Sequence, residues 1–190
     1  MDTEAALSRL VGARIAAGRA ALALSLDQLA ARTGVSRAMI SRIERGEVHA
    51  SAVVLDKLCG GLGITLSNLF ARAAAESPLL RRADQPVWRD PQSSYLRREV
   101  APTGTGSAVH IVEVEFPAGA EVTLGPAEHR VIDQHVWLLE GGMAITLGTT
   151  THTLGPGDCL HMHPDRAGII FRNPGAAPAR YAVILALKAV

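Results

Sequence analysis

The hydrophobic periodicity of the chain changes once, near residue 71, and this change limits the fold more than any other feature. From Leu7 to Phe70 the apolar residues recur at helical intervals: Leu7, Leu10 and Val11; Leu26, Leu29 and Ala30; Ile40 and Ile43; Leu55, Leu58 and Leu62; Leu66, Leu69 and Phe70. The spacing predicts five short helices. Small polar caps and turn residues mark their ends, with Ser25 before the second helix, Gly34 after it, Ser36 opening the third, Gly46 closing it, Ser51 before the fourth and Gly63 after it. From about Trp88 the helical spacing is gone. "SYLRREV", "AVHIVEVEF", "HVWLLEG", "GMAITLG", "THTLGPGD", "AGIIFRN" and "RYAVILAL" all read as strands separated by Gly and Pro.

A run of helices followed by a run of strands predicts an α+β chain of two domains, all-α then all-β. Many short strands with turn signals imply a sandwich or barrel, which limits exposed sheet edges. We place the first domain at residues 1–72 and the second at 95–190. The stretch between, "ARAAAESPLLRRADQPVWRD", mixes small residues, charges and two prolines, so residues 73–94 are expected to be a linker that becomes the first edge strand.

A chain of 190 residues is long enough for two small domains, each with its own core. With 48% hydrophobic but only 4% aromatic residues, those cores must be built from Ala, Val, Leu and Ile, and 19% charged residues exclude a disordered polar chain. No window approaches a membrane span. The start "MDTEAALSRL" has acidic residues where a signal peptide would be basic, so a cytoplasmic location is expected. Cys59 and Cys159 stand alone and predict reduced thiols rather than a disulfide framework or zinc ribbon.

The net charge of +1 informs only when divided. Residues 1–70 carry eight Lys+Arg against six Asp+Glu, or +2; the remainder carries eleven against twelve, or −1. Placement matters more, because Arg32, Arg37, Arg42 and Arg45 crowd into fourteen residues. In "SLDQLAARTGVSRAMISRIERGE" the residues Leu29, Ala30, Val35, Ile40 and Ile43 form the seam of two crossed helices, and Gly34 gives the turn between them its backbone freedom. With that seam buried, Ser36, Arg37, Ala38, Ser41, Arg42 and Arg45 face outward on the third helix. Such a face suits the DNA major groove, where a guanidinium can bond a guanine bidentately. Arg37 and Arg42 are the expected base readers. Ser36 would cap the helix and bond phosphate, Gln28 would hold the DNA backbone from the preceding helix, and Arg45 would add a phosphate contact. The alternative is a solvated arginine face on a protein-binding bundle.

This stretch resembles the helix-turn-helix of the phage-repressor-like XRE family, including the "SRIERGE" signature after the recognition helix. The resemblance covers roughly residues 7 to 70. It implies a lambda-repressor-like five-helix domain that binds double-stranded DNA at palindromic operators as a dimer. Glu44 and Gly46 match positions that end the helix and start the loop, and structural roles are expected for them.

"EFPAG", "QHVWLLEGGMAITLGTTTHTLGPGD" and "RNPG" resemble a cupin over about residues 95 to 188, implying a jelly-roll barrel that holds a metal or small molecule. The family motif H-x-H-x(3,4)-E-x(6)-G places its acidic ligand, counted back from Gly141, on Gln134, a neutral and weak donor. The histidine pair falls on Glu128 and Arg130 or on Ala127 and His129, so only one histidine can match. In the second motif, G-x(5)-P-x-G-x(2)-H-x(3)-N, counting back from Asn173 puts the last ligand on Ile169. The pattern therefore implies no metal, no other cofactor and no catalytic residue. A rearranged site joining His129, His161 and His163 is the remaining metal reading. Strand alternation puts Gln134, Val136 and Leu138 on one face and His135, Trp137 and Leu139 on the other. By analogy with the ligand it replaces, Gln134 should face the interior, where His129, Gln134, Val136, His161 and His163 would contact a small-molecule effector. Trp137 is expected in packing or at a dimer interface, and His49, His110 and His152 at the surface.

The two halves together imply a DNA-binding regulator, a homodimer whose small-molecule effector modulates operator binding. One rival architecture joins an XRE-like head to an iron-binding cupin, as in hydroxypropylphosphonate epoxidase. It needs the ligands that are missing here. Another rival is an antitoxin or phage-type repressor controlled by a protein partner.

Overall fold

The computed structural model of the chain describes residues 3–70, 77–103, 105, 107–125, 132–162 and 168–187. They divide into two compact units, Met1–Phe70 and Ala71–Val190.

The first unit consists of α1 (Thr3–Ala21), α2 (Leu26–Thr33), α3 (Arg37–Glu44), α4 (Ala52–Leu62) and a five-residue α5 (Leu66–Phe70). The terminal signals act through identifiable bonds. Ser25 and Gln28 form a capping box: the Ser25 hydroxyl accepts from the Gln28 amide at 3.1 Å, and the Ser25 amide donates to Gln28 Oε1 at 2.7 Å. Gly34 ends α2 in the left-handed region, φ 69°, and its N–H donates to the Ala30 carbonyl. α3 ends in a Schellman motif, with Gly46 N–H donating to Ile43 O and Glu47 N–H to Arg42 O. Ile15, Leu29, Ile40, Ile43, Leu55, Leu58 and Leu69 are fully buried and form the core. α1 crosses α3 closely at Gly12, where an added Cβ would lie 2.2 Å from the Ile43 carbonyl oxygen.

The second unit has ten strands among the described residues: β1 (Val87–Arg89), β2 (Leu96–Glu99), β3 (Val109–Phe116), β4 (Glu121–Leu124), β5 (Ile132–Glu140), β6 (Met143–Leu147), β7 (Thr150–Leu154), β8 (Cys159–Met162), β9 (Ile169–Arg172) and β10 (Ala179–Leu187). Each of the seven stretches that read as strands contains one. β4 and β8 were not in that set, whereas β1 lies in the stretch expected to become the first edge strand and stands at the edge of its sheet. All pairings are antiparallel, in a six-stranded sheet of order β1-β2-β3-β10-β5-β8 and a four-stranded sheet of order β4-β9-β6-β7. Val112, Val114, Val136, Leu138, Val183 and Leu185 are buried on the six-stranded sheet, as are Val122, Met143, Ile145 and Phe171 on the four-stranded sheet. Phe171 stacks on Tyr181 at 6.3 Å, joining the two sheets.

Two motif glycine and asparagine positions prove to be fold markers. Gly141 has φ +80°, and a Cβ there would lie 2.8 Å from Ala179 Cα, so glycine lets the β5–β6 turn approach the start of β10. Asn173 is fully buried, donates from Nδ2 to the Phe116 and Ala177 carbonyls, and accepts the Gly175 amide. Those three bonds satisfy a buried amide that would otherwise be costly, and they fix the turn into β10.

Candidate functional site

α3 presents to solvent the face that the sequence reading assigns to DNA. Its N-cap, Ser36, accepts the Met39 amide at 3.3 Å, so the hydroxyl sits at the positive end of the helix. Arg37, Ala38, Ser41, Arg42 and Arg45 line one open concavity. Ile40 and Ile43 are buried on the opposite side, which leaves this face to solvent. Gln28, Ser36, Arg37, Ala38, Arg42 and Arg45 are exposed and Ser41 is half-buried. Gln28 uses its carbonyl oxygen in the capping box, and its amide NH2 remains a donor.

The three arginines of this face are not in equivalent states. Arg37 faces Asp27 at 3.4 Å, with both side chains largely in solvent. Arg45 is held at all three nitrogens: Nε donates to Glu47 Oε1 at 2.5 Å, Nη2 to Glu47 Oε2 at 2.8 Å, and Nη1 to Ser41 Oγ. Its pKa is raised, first by the hydrogen bonds to Glu47. The Glu47 carboxyl is correspondingly held below its ordinary value, chiefly by those bonds, with the charges of Arg45 and Arg42 adding to the effect. The sequence reading did not single out Glu47, although "RGE" put a carboxylate two residues from Arg45.

The end of "SRIERGE" fastens α3 in place. Glu44 accepts both Arg19 Nε at 2.7 Å and Nη2 at 2.8 Å, a bidentate pair linking the end of α1 to the end of α3. Arg19 Nη1 also donates to the Leu24 carbonyl. Gly46, with φ +69°, lies where a Cβ would be 2.7 Å from Arg9 Cγ. These contacts set the angle at which α3 leaves the core.

In the second unit the structure separates residues that the sequence reading grouped. Gln134 shares a face with the fully buried Val136 and Leu138, and pairs with Leu185 on β10 and Met162 on β8. His161 pairs with His135 and stands on the other face, exposed. The two imidazoles stack at 4.7 Å, and His161 Nε2 lies 2.6 Å from Asp133 Oδ1. His161 therefore does not join Gln134 and Val136, because residues of opposite parity on paired strands point to opposite sides of a sheet. His129 and His163 lie outside the described residues. Among the described residues no group of three or more His, Cys, Asp or Glu side chains is placed to hold a metal ion.

His110, expected at the surface, is half-buried and pairs with Leu185, which places it in one row with Leu185, Gln134 and Met162. Register, rather than any motif, reveals it. Trp137 is 47% exposed on the outer face, near the exposed Val109 and Ile111 of β3. No helix among the described residues is long and apolar enough to cross a membrane.

Comparison with known proteins agrees with this geometry. Residues 15–69 match the HTH_3 helix-turn-helix family. The chain is 26% identical over 151 residues to the HTH-type transcriptional regulator SutR of Escherichia coli (strain K12), covering 80% of each protein. It is 46% identical over 48 residues to the control protein C.MunI of a Mycoplasma species, covering 25% of this chain and 65% of that protein. The crystal structure of an HTH_3 family transcriptional regulator from Vibrio cholerae has the same fold, with a TM-score of 0.76, 22% identity, and coverage of 98% of this chain and 99% of that one.

Proposed function

We propose that this chain, which carries an XRE-type helix-turn-helix domain and is homologous to HTH-type transcriptional regulators, binds palindromic operators as a homodimer under control of a small-molecule effector. The observation that carries the reading is the concavity of Arg37, Ala38, Ser41, Arg42 and Arg45 on an α3 whose core side is sealed. Arg37 and Arg42 read bases. Ser36, Gln28 and Arg45 bond phosphates, and the helix N-terminus favours an anion there.

In this proposal α5 is the fifth helix of the DNA-binding domain, residues 1–72, and residues 73–94 join it to the effector domain at 95–190. The two antiparallel sheets of that second, cupin-like domain form a jelly-roll barrel. The effector lies against its inner face, at Gln134 and Val136, with His110 added from β3; His129 and His163 remain candidate contacts on the sequence reading alone. Metal and catalysis have no part in the reading. It places the protein in the cytoplasm with its DNA.

The test is operator binding by an Arg37→Ala, Arg42→Ala double variant. A bidentate arginine contact is worth about 1 to 3 kcal/mol of base discrimination, so the pair should lower operator affinity by at least about 30-fold and relax sequence preference. Unchanged affinity and unchanged salt dependence would show that other residues contact the DNA.

A further inference from the structure

Of the arginines lining the α3 concavity, Arg45 is the one whose every guanidinium nitrogen is already engaged within the described structure. The Glu47 carboxylate meets Nε and Nη2 side-on in the fork geometry that a phosphate would otherwise take. Ser41, four residues before Arg45 on the same helix face, holds Nη1 and fixes the orientation of the fork. The motif supplies the tether. Gly46 turns the chain in the left-handed region directly after Arg45, and Glu47 N–H closes the helix end on the Arg42 carbonyl, so its carboxylate is delivered back onto the arginine face.

We propose that Glu47 is a tethered competitor for DNA phosphate: its carboxylate stands in for a phosphate on Arg45 and must be displaced before Arg45 can contact the backbone. This deepens, and rests on, the DNA-binding reading of α3. Magnitudes make displacement feasible. Both side chains are about half exposed, and exposed ion pairs contribute little net stability, so a phosphate exchanges for the carboxylate at small cost. While the pair is closed, Arg45 and Glu47 together carry no net charge toward DNA, and one counterion fewer is released on first contact. The effect is independent of sequence. It lowers affinity for any duplex, and therefore the fraction of protein held on the large excess of non-operator DNA.

The experiment measures binding of the full-length chain to a random-sequence duplex and to an operator selected from a random library, by fluorescence anisotropy over a range of salt concentrations. Wild type, Glu47→Gln, Arg45→Ala and the double variant are compared, with thermal unfolding used to establish that all four fold. Glu47→Gln should tighten both duplexes by about twofold to fivefold and steepen the slope of log K against log salt by about 0.9. In the Arg45→Ala background the gain should fall to less than half. No gain on Glu47→Gln, a gain that persists without Arg45, or a loss confined to the operator overturns the competitor role while leaving DNA binding intact. Failure of the wild type to bind either duplex overturns both readings.

Discussion

At the scale of single residues, the candidate sites differ in how far composition could reveal them. Exposure of Arg37, Arg42 and Arg45 follows from burying Leu29, Ile40 and Ile43, so the exposed arginine face was legible from spacing alone. The partner of Arg45 was not. A carboxylate two residues away along the chain can point anywhere until a turn at Gly46 brings it back. Because its pKa is lowered from an ordinary 4.5, Glu47 stays charged from neutral pH down through the normal carboxylate range. Its interaction with Arg45 is complete above that range and is lost only as pH falls through the lowered value, which makes it a constant competitor rather than a pH switch. Gln134 poses a different question, since its row neighbours Leu185 and Met162 are apolar and buried. We predict that Gln134→Leu changes the stability of the ligand-free protein by less than about 1.5 kcal/mol, as a side chain of similar volume among apolar neighbours should. The same variant should lose the thermal shift and the change in operator affinity produced by metabolites of the regulated pathway. Denaturant unfolding and differential scanning fluorimetry read the two effects separately, and a large loss of stability would mean that Gln134 is a structural residue.

At the scale of elements, sequence punctuation was the most dependable guide. Ser25, Gly34, Ser36, Gly46 and Gly63 each stand at the helix boundary that their chemistry predicts, because caps act through bonds only a few residues long; Ser51 stands at its boundary too, without a side-chain capping bond. What the sequence hid were burial and register. The Arg97–Glu99 ion pair, 3.0 Å apart and almost fully buried on β2, reads in "LRREV" as ordinary edge-strand polarity. The division of His161 from Gln134 depends on the register between β5 and β8, which no local pattern encodes. Gly12 belongs to this class, since it sits in the middle of a 19-residue helix where alanine would raise helix propensity. The α1–α3 crossing reverses that expectation, because a Cβ would stand 2.2 Å from the Ile43 carbonyl and 2.9 Å from that of Glu44, both backbone atoms that cannot turn aside. Gly12→Ala should destabilise the protein by about 1 to 3 kcal/mol, as overpacking does, and weaken operator binding by shifting α3. Gly18→Ala is the control. Its nearest neighbour is the flexible Leu62 side chain at 3.4 Å, so a much smaller effect is expected.

At the scale of the whole molecule, a palindromic operator demands two recognition helices about 34 Å apart, and hence a second copy of the chain. The outer face of the six-stranded sheet is where we expect that copy to dock. Val109, Ile111 and Trp137, three of the five large apolar side chains most exposed among the described residues, lie on this face, with Ala182 and Ile184 of β10 between them in register. Part of its charge is already paired, with Arg180 contacting both Glu113 and Glu140. Six strands of three to nine residues give a face on the order of 600 Å², somewhat below the about 800 Å² that each partner buries in a standard-size interface. A Trp137→Glu substitution places a charge on that face without disturbing the core, because the indole already stands 47% exposed. Sedimentation should then find a monomer where the wild type is a dimer, with the far-ultraviolet circular dichroism spectrum unchanged. Operator binding should weaken and depend more steeply on protein concentration, because two heads must now be gathered separately on the DNA. A variant that remains dimeric would move the interface elsewhere and leave the apolar outer face to some other partner.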